Sequence, residues 1–417
     1  MALGGGTNVF LGKYKLLAVA VLVVTLSWAG SSAASGVKAG GGLHTVSIGI
    51  LTDFTGLGAS SNKSSVMGVE AGDVYAATQG YKIKYVVADT ATSPTTALTA
   101  AQTLVEQDHV LAVIGLSSVT FAAAPYLESQ GVPVIGAAED AGEWSTDKNM
   151  FSVYGASHTN FVVTTWGQLL KKLGATSLGT IGYAISPTSA EEAEGLAESA
   201  RDAGIKTPYV NATFAFGSTN VQPLALGMKS DGINSYYDAV EPSTGFALYT
   251  ALKQDGVHLK VTMMPTGYGG DLSQLGAGAA QNAKGIYFTS QFEPVEMHTA
   301  ATEQLAHDLK AVGVTSDPTD HEYTGYLSVA LLVEGLKAAG ADPTQASLIA
   351  ALSTIHKWNA LGLWGDRTLD INDRTTIASG VGNCAWITQY NGKTFQLVPG
   401  ADPICGTTVK GQTVSAP

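Results

Sequence analysis

Ser117 and Ser118 follow the apolar run Val110–Ile114 and Gly115. Hydroxyls and free backbone amides at such a point can grip a polar group of a small ligand, or they can satisfy the loop's own backbone. A second apolar run, Val132–Ile135, ends in Gly136-Ala137-Ala138, which offers further backbone groups. Between the two runs a short helical segment reaches Gln130 and is broken by Gly131. The stretch VLAVIGLSSVTFAAAPYLESQGVPVIGAA is therefore strand, loop, helix, strand, loop. In a parallel α/β sheet the C-terminal strand ends line the ligand crevice, so both loops should face the same crevice. This is half of a small-molecule site.

Other candidates lie at similar points. Tyr154 follows the second strand-loop unit closely enough to reach the crevice. Glu241 and Ser243 lie just past the run SYYDAV, in which Tyr236 and Tyr237 alternate and at least one belongs to the core. Tyr268 sits in the loop Thr266-Gly267-Tyr268-Gly269-Gly270-Asp271, either as a ligand wall or as a surface aromatic. Asp271 could cap a helix from Leu272 or meet a ligand ammonium. Trp144 and Phe54 could cover a ligand or lie at the surface, and Asp53 reads as a loop-capping carboxylate.

Catalytic motifs find little support. Gly56-Leu57-Gly58-Ala59-Ser60-Ser61 follows a strand, as a dinucleotide fingerprint would, but its third glycine is Ser61. The acidic residue ending the next strand, Asp89, also comes too late for that motif. The chain has no GxSxG elbow, HExxH or phosphate-binding GxxxxGK[ST], and its His residues lack metal-ligand spacing. The reading is of a non-catalytic protein without cofactor or metal.

The elements that must position these residues alternate along the chain. Thr45–Leu51 is a buried strand, with a helix over about 64–78 after it. Lys82–Ala88 is the next strand, and Ser93 caps a helix with Pro94 at its first position. A second series begins near Leu178. Its strands are expected at 180–184, 208–210, 235–240, 261–264 and 285–289, and its helices at 189–203, 218–230 and 243–254, the last with Ser243 as cap. Helices over 297–312, 321–339 and 344–353 follow, and Asn391-Gly392 joins two alternating runs as a hairpin. Strands alternating with helices predict parallel sheets. The late elements have no sheet of their own and should return to the two earlier units.

Composition narrows the partners. The chain has 417 residues, 45% hydrophobic and 13% charged, with 49 Gly, which suits a loop-rich α/β protein. A net charge of -12 argues against nucleic acid or an anionic membrane surface. Lys13 and Lys15 precede the apolar run Leu16–Leu26 and the small residues 31–35, the pattern of a signal peptide over 1–34 with a flexible leader over 35–44. The run is short for a membrane span. No Cys lies near this point for lipid attachment, so an exported periplasmic or extracellular protein is expected. Its two Cys, Cys384 and Cys405, then read as one local disulfide.

The pattern resembles the substrate-binding proteins of branched-chain amino-acid type ABC transporters. The matching pieces are IGILTDFTG with Gly68 and Gly72, KIKYVVADTATSPTTALTAAQTLVEQDHVLAVIG, Ser117-Ser118, GVPVIGAA, AVEPSTGFALYTALKQDGV and EYTGYLSVALLVEGLKAAG, spread from about Val46 to Val398. The resemblance implies a two-lobed α/β periplasmic-binding fold of type I, each lobe a parallel sheet flanked by helices, with three crossovers. One lobe would hold 44–163 and 295–355, the other 164–294 and 356–417. It implies a small amino acid, organic carboxylate or amide bound between the lobes and delivered to a membrane permease. The Ser117-Ser118 loop would hold a carboxylate and the Ala137-Ala138 loop would add backbone groups. A ligand ammonium would be met near Asp271. Two features depart from the family pattern. Glu139 stands where a hydroxyl is common, and the loop Tyr183–Ser189 lacks the family's aromatic-Gly pair. An alternative role is an extracellular ligand sensor acting with a membrane receptor.

Overall fold

The computed structural model describes residues 42–140 and 142–417. The expected signal peptide and most of the leader lie outside the described residues. Strands β1 (His44–Thr52), β2 (Tyr81–Asp89), β3 (Ala112–Leu116), β4 (Val134–Gly136) and β5 (Met150–Ser152) form a sheet in the order β2-β1-β3-β4-β5, every pairing parallel. The inner strands are apolar throughout because helices cover both faces. Residues of β3 are all buried, as are those of β1 from Ile48 onward.

After the short strand β6 (Phe161–Val163) the chain enters a second sheet. It contains β7 (Ser177–Tyr183), β8 (Lys206–Phe214), β9 (Ser235–Tyr237), β10 (Val261–Met264), β11 (Tyr287–Ser290), β12 (Cys384–Tyr390) and β13 (Phe395–Leu397), ordered β13-β12-β11-β10-β9-β7-β8. From β8 to β11 the strands are parallel, and β12 and β13 add antiparallel. The second sheet is thus parallel with an antiparallel edge. Strand β14 (Ile404–Cys405) pairs with β12, placing Cys384 opposite Cys405, and the two form the expected disulfide. Strand β15 (Thr408–Thr413) pairs antiparallel with β6.

The late elements do return to the earlier ones. Helix Asp320–Ala339 packs along helix Ser65–Thr78 of the first sheet's layer, while β12 and β13 join the second sheet. The chain therefore passes between the two sheets three times: before Ser177, after Ser290 and before Cys384.

Several local expectations are corrected. Strand β8 is far longer than 208–210, because it is an edge strand and tolerates Pro208, near which the β7 register shifts. The helix expected from Ser218 begins only at Gln222, with Pro223 in its first turn. Ser243 is not a cap: Glu241 takes that position and Pro242 opens the helix Pro242–Gln254. Asp271 is not a cap either, since Gly269 holds that place before helix Gly270–Gln274. Both Tyr236 and Tyr237 are core. Ser93 caps helix Pro94–Glu106 as expected, its hydroxyl accepting from the Thr96 amide at 3.4 Å. The Asn391-Gly392 turn closes the β12–β13 hairpin.

Candidate functional site

The loops after β1, β2 and β3 are tied together by one carboxylate. Asp53 is fully buried. Its Oδ1 accepts from Ser117 Oγ at 2.5 Å and from Thr90 Oγ1, and its Oδ2 accepts from Asn62 Nδ2 at 2.7 Å and from the Ser118 amide at 3.0 Å. The loop-capping reading of Asp53 is what the structure shows. A buried carboxylate needs this many donors to offset its lost hydration. The loop after β4 is set by close backbone approach: a Cβ on Gly136 would meet the Gly115 carbonyl oxygen at 1.9 Å. Glycine at the paired ends of β3 and β4 lets both strands run to the crevice.

Facing these loops, across a cavity of about 250 Å³, stand the strand ends of the second sheet. The first-sheet side contributes Ser61, Asn62, Thr92, Ser118, Ala138, Glu139 and Tyr154, and the second-sheet side Tyr183, Glu241, Thr266 and Gln291. Asp320 and His321, at the start of the long helix, close one wall. Behind them the cavity runs into an apolar recess lined by Phe161, Val163, Trp166, Leu196 and Tyr237, with Glu192 among them.

Of the residues singled out from sequence, Ser118, Ala138, Tyr154 and Glu241 share this cavity. Ala137 is buried beside it, and Ser117 is buried with its hydroxyl spent on Asp53 and Thr90. Tyr268 turns away: its hydroxyl donates to Glu296 at 2.7 Å and its ring stacks edge-on against Phe395, 4.8 Å between centroids. Asp271 is buried behind the cavity wall, both oxygens without a hydrogen bond, and burial pushes its carboxyl well up. Trp144 is buried, donating its indole N–H to Asp140 at 3.0 Å, whereas Phe54 is exposed.

Glu241 is the connection across the crevice. Its Oε2 accepts from Ser61 Oγ and its Oε1 from Ser118 Oγ at 3.4 Å, while its backbone amide donates to Tyr183 Oη at 3.3 Å. Ser118 also accepts from Asn62 Nδ2 at 2.9 Å. The hydroxyl expected to hold a ligand carboxylate is thus engaged by a carboxylate of the protein itself. Burial pushes Glu241 up to about 7, although Ser61 and His321 oppose the shift.

Glu139 lies 3.2 Å from His321 Nε2. Burial alone would lower the imidazole, but Glu139, with Asp320 and Asp271 beside it, pushes it up to about 10, which favours the charged form. Burial carries Asp320 up to about 6 and Glu192 to about 7. Neither carboxylate accepts a hydrogen bond from the described residues. Among the described residues no Lys or Arg lines the cavity. Among the described residues no three His, Cys, Asp or Glu side chains are grouped to hold a metal ion.

This arrangement, two sheets presenting their C-terminal strand ends to a shared cavity, suits reversible capture of a small molecule. A family model described as periplasmic binding protein matches residues 45–394. The chain belongs to the periplasmic binding protein family. The resemblance read from sequence, with its two-lobed type I fold, is borne out. No curated protein sequence matches the chain. Among solved structures, it is similar to a possible leucine/isoleucine/valine-binding protein from Rhodopirellula baltica SH 1, with TM-score 0.72, 16% identity and coverage of 85% of this chain and 96% of that one. It is similar to the branched-chain amino acid transporter substrate-binding protein LivJ of Streptococcus pneumoniae in complex with isoleucine, with TM-score 0.69, 20% identity and coverage of 88% and 99%. It is also similar to an ABC transporter solute-binding protein of R. palustris in complex with 4-hydroxybenzoate, with TM-score 0.69, 16% identity and coverage of 89% and 98%. At these identities the likeness is one of fold.

Sequence reasoning missed Ser61, Asn62, Glu192, Asp320 and His321 as cavity residues of this binding protein. Ser61 and Asn62 follow β1, so the strand-end rule could have found them. His321 and Asp320 begin a helix far along the chain, and Glu192 sits within another, so no local pattern marks them.

Proposed function

We propose that this protein is the extracytoplasmic solute-binding component of an ABC importer. It captures a small organic solute between its lobes and presents the closed form to a membrane permease, with no chemistry of its own. The observation that supports this reading is the cavity at the strand ends of both sheets, spanned by Glu241 of one lobe and Ser61 and Ser118 of the other. A solute that touches both walls favours closure because only the closed form offers both sets of contacts. Fold neighbours in complex with isoleucine and with 4-hydroxybenzoate agree with a solute of this size. In this reading the polar contacts come from Ser118, Tyr154 and Glu241 and from the backbone at Ala137 and Ala138, while Ser117 holds the loop and Tyr268 and Asp271 stand behind the wall. Among the described residues no helix is long and apolar enough to cross a membrane. The permease would therefore supply the membrane passage.

The test is a thermal-shift screen of the protein against amino acids, amides, carboxylates and amines. A solute at 100 times its dissociation constant should add about 2.7 kcal/mol of stability. Absence of any shift across all four classes would overturn small-solute capture and turn attention to a protein partner.

A further inference from the structure

The cavity wall carries an unusual balance of charge. Glu139, Glu192, Glu241 and Asp320 line it, and among the described residues the only basic side chain there is His321, already paired with Glu139. A cluster of carboxylates alone could be a solvated surface. Here three further groups on the same wall lack partners, one of them the Nδ1 of His321, whose ring is otherwise held by Glu139. The Tyr237 hydroxyl is fully buried and unpaired, and so is the Gln291 amide oxygen. Gln291 can only accept at that atom, which lies against Gly380, so an N–H or O–H donor that reached it would complete it. Meanwhile the Ser118 hydroxyl, which would serve a ligand carboxylate, faces Glu241.

From this geometry we infer that the cavity takes an organic cation: an amine, amidine or guanidine with several N–H donors on an apolar body, and no carboxylate. The charged end meets Asp320, Glu241 and Gln291. The body enters the recess of Trp166 and Leu196, where Glu192 and Tyr237 can receive a second polar end. A carboxylate ligand would meet Glu139, Glu192, Glu241 and Asp320, and among the described residues His321 is the one cation set against them. This inference rests on the solute-binding reading and narrows it to one ligand class.

The pH dependence of binding carries the sign of the ligand's charge. Glu241 is faced by Asp53, Glu139, His321, Tyr183 and Asp271; Asp320 by His321, Glu139, Tyr154, Asp271 and Tyr323; and Glu192 by Tyr154, Tyr237 and Asp238. Burial leaves the three carboxyls partly protonated near neutral pH, at about 7, 6 and 7. A cation favours their ionised forms, so binding releases protons and weakens as pH falls below about 7. An anion or a neutral acceptor-rich ligand would do the opposite.

The experiment is titration calorimetry of the full protein at pH 8.0 and pH 5.5, with benzylamine, 1,6-diaminohexane and agmatine set against benzoate and isoleucine. The expected result is binding of at least one of the three cations, roughly tenfold or more tighter at pH 8.0 than at pH 5.5, with benzoate and isoleucine weaker. Glu192→Gln and Asp320→Asn, each checked for an unchanged melting profile, should each weaken cation binding by about tenfold. If benzoate or isoleucine binds more tightly than every cation, or affinity improves toward pH 5.5, the cation assignment fails while solute capture stands. If both variants bind the cation as the wild type does, the assignment of these carboxylates fails. If none of the five compounds binds, the cation assignment is overturned, and the broader screen decides solute capture separately.

Discussion

Two buried carboxylates show how differently one side chain type can be used. Asp53 collects donors from three loops and so organises the crevice. Asp238 is fully buried with neither oxygen hydrogen-bonded, and burial pushes its carboxyl up to about 7. Its folded-state pKa lies above the unfolded one. Its contribution to stability is therefore complete below about pH 4 and is lost as pH rises through about 7. Urea denaturation should find the wild type less stable at pH 8 than at pH 5, with Asp238→Asn flattening the slope and gaining on the order of 3 kcal/mol at pH 8. An equally steep slope in the variant would assign the loss to other groups.

At the scale of elements, the fit of the helix Ser65–Thr78 against Asp320–Ala339 depends on glycine. A Cβ on Gly68 would lie 2.3 Å from the Glu322 carbonyl oxygen, and one on Gly325 would lie 2.4 Å from that of Ser65. Backbone cannot yield as a flexible side chain can, so the helices would have to separate. Gly68→Ala and Gly325→Ala should each cost about 2 kcal/mol, seen as a lower melting temperature. Because Asp320 and His321 begin the second helix, the same changes should also weaken ligand binding. The Cys384–Cys405 bridge closes a segment with a sequence separation of 21 and holds β14 against β12. Replacing both cysteines by serine should cost about 3 kcal/mol through the greater freedom of the unfolded chain. Ligand affinity should hardly change, since neither residue lines the cavity. Calorimetric melting with and without reductant checks the first point and ligand titration the second.

For the whole molecule, the relevant quantity is the balance between open and closed lobes. Glu241 reaches across the crevice to Ser61 and Ser118, so the protein contributes to its own closure. Glu241→Ala removes both contacts. Small-angle scattering of the free variant should show a larger radius of gyration than the wild type, with ligand restoring compactness only in part. An identical radius would mean that lobe packing elsewhere, not this contact, sets the closed population.

Sequence by itself determined the strand-helix alternation, the first crevice loops, the Ser93 cap, the Asn391-Gly392 hairpin and the cysteine pair, since each rests on periodicity or on residues close in the chain. It also carried the family, because motif order and spacing run along nearly the whole length. What only the tertiary structure decided was the character of the site. Ser117 and Ser118 are neighbours in sequence, yet one hydroxyl is buried on Asp53 and the other meets Glu241 from across the crevice. Tyr268 and Asp271 share a promising loop, but Gly269 at its helix start and the packing of Phe395 turn them from the cavity. His321, Asp320 and Glu192 reach the wall only because distant helices fold back onto it. Local pattern records which face a residue takes on its own element. The charge of a crevice is summed over elements far apart in the chain, and that sum exists only once they are packed.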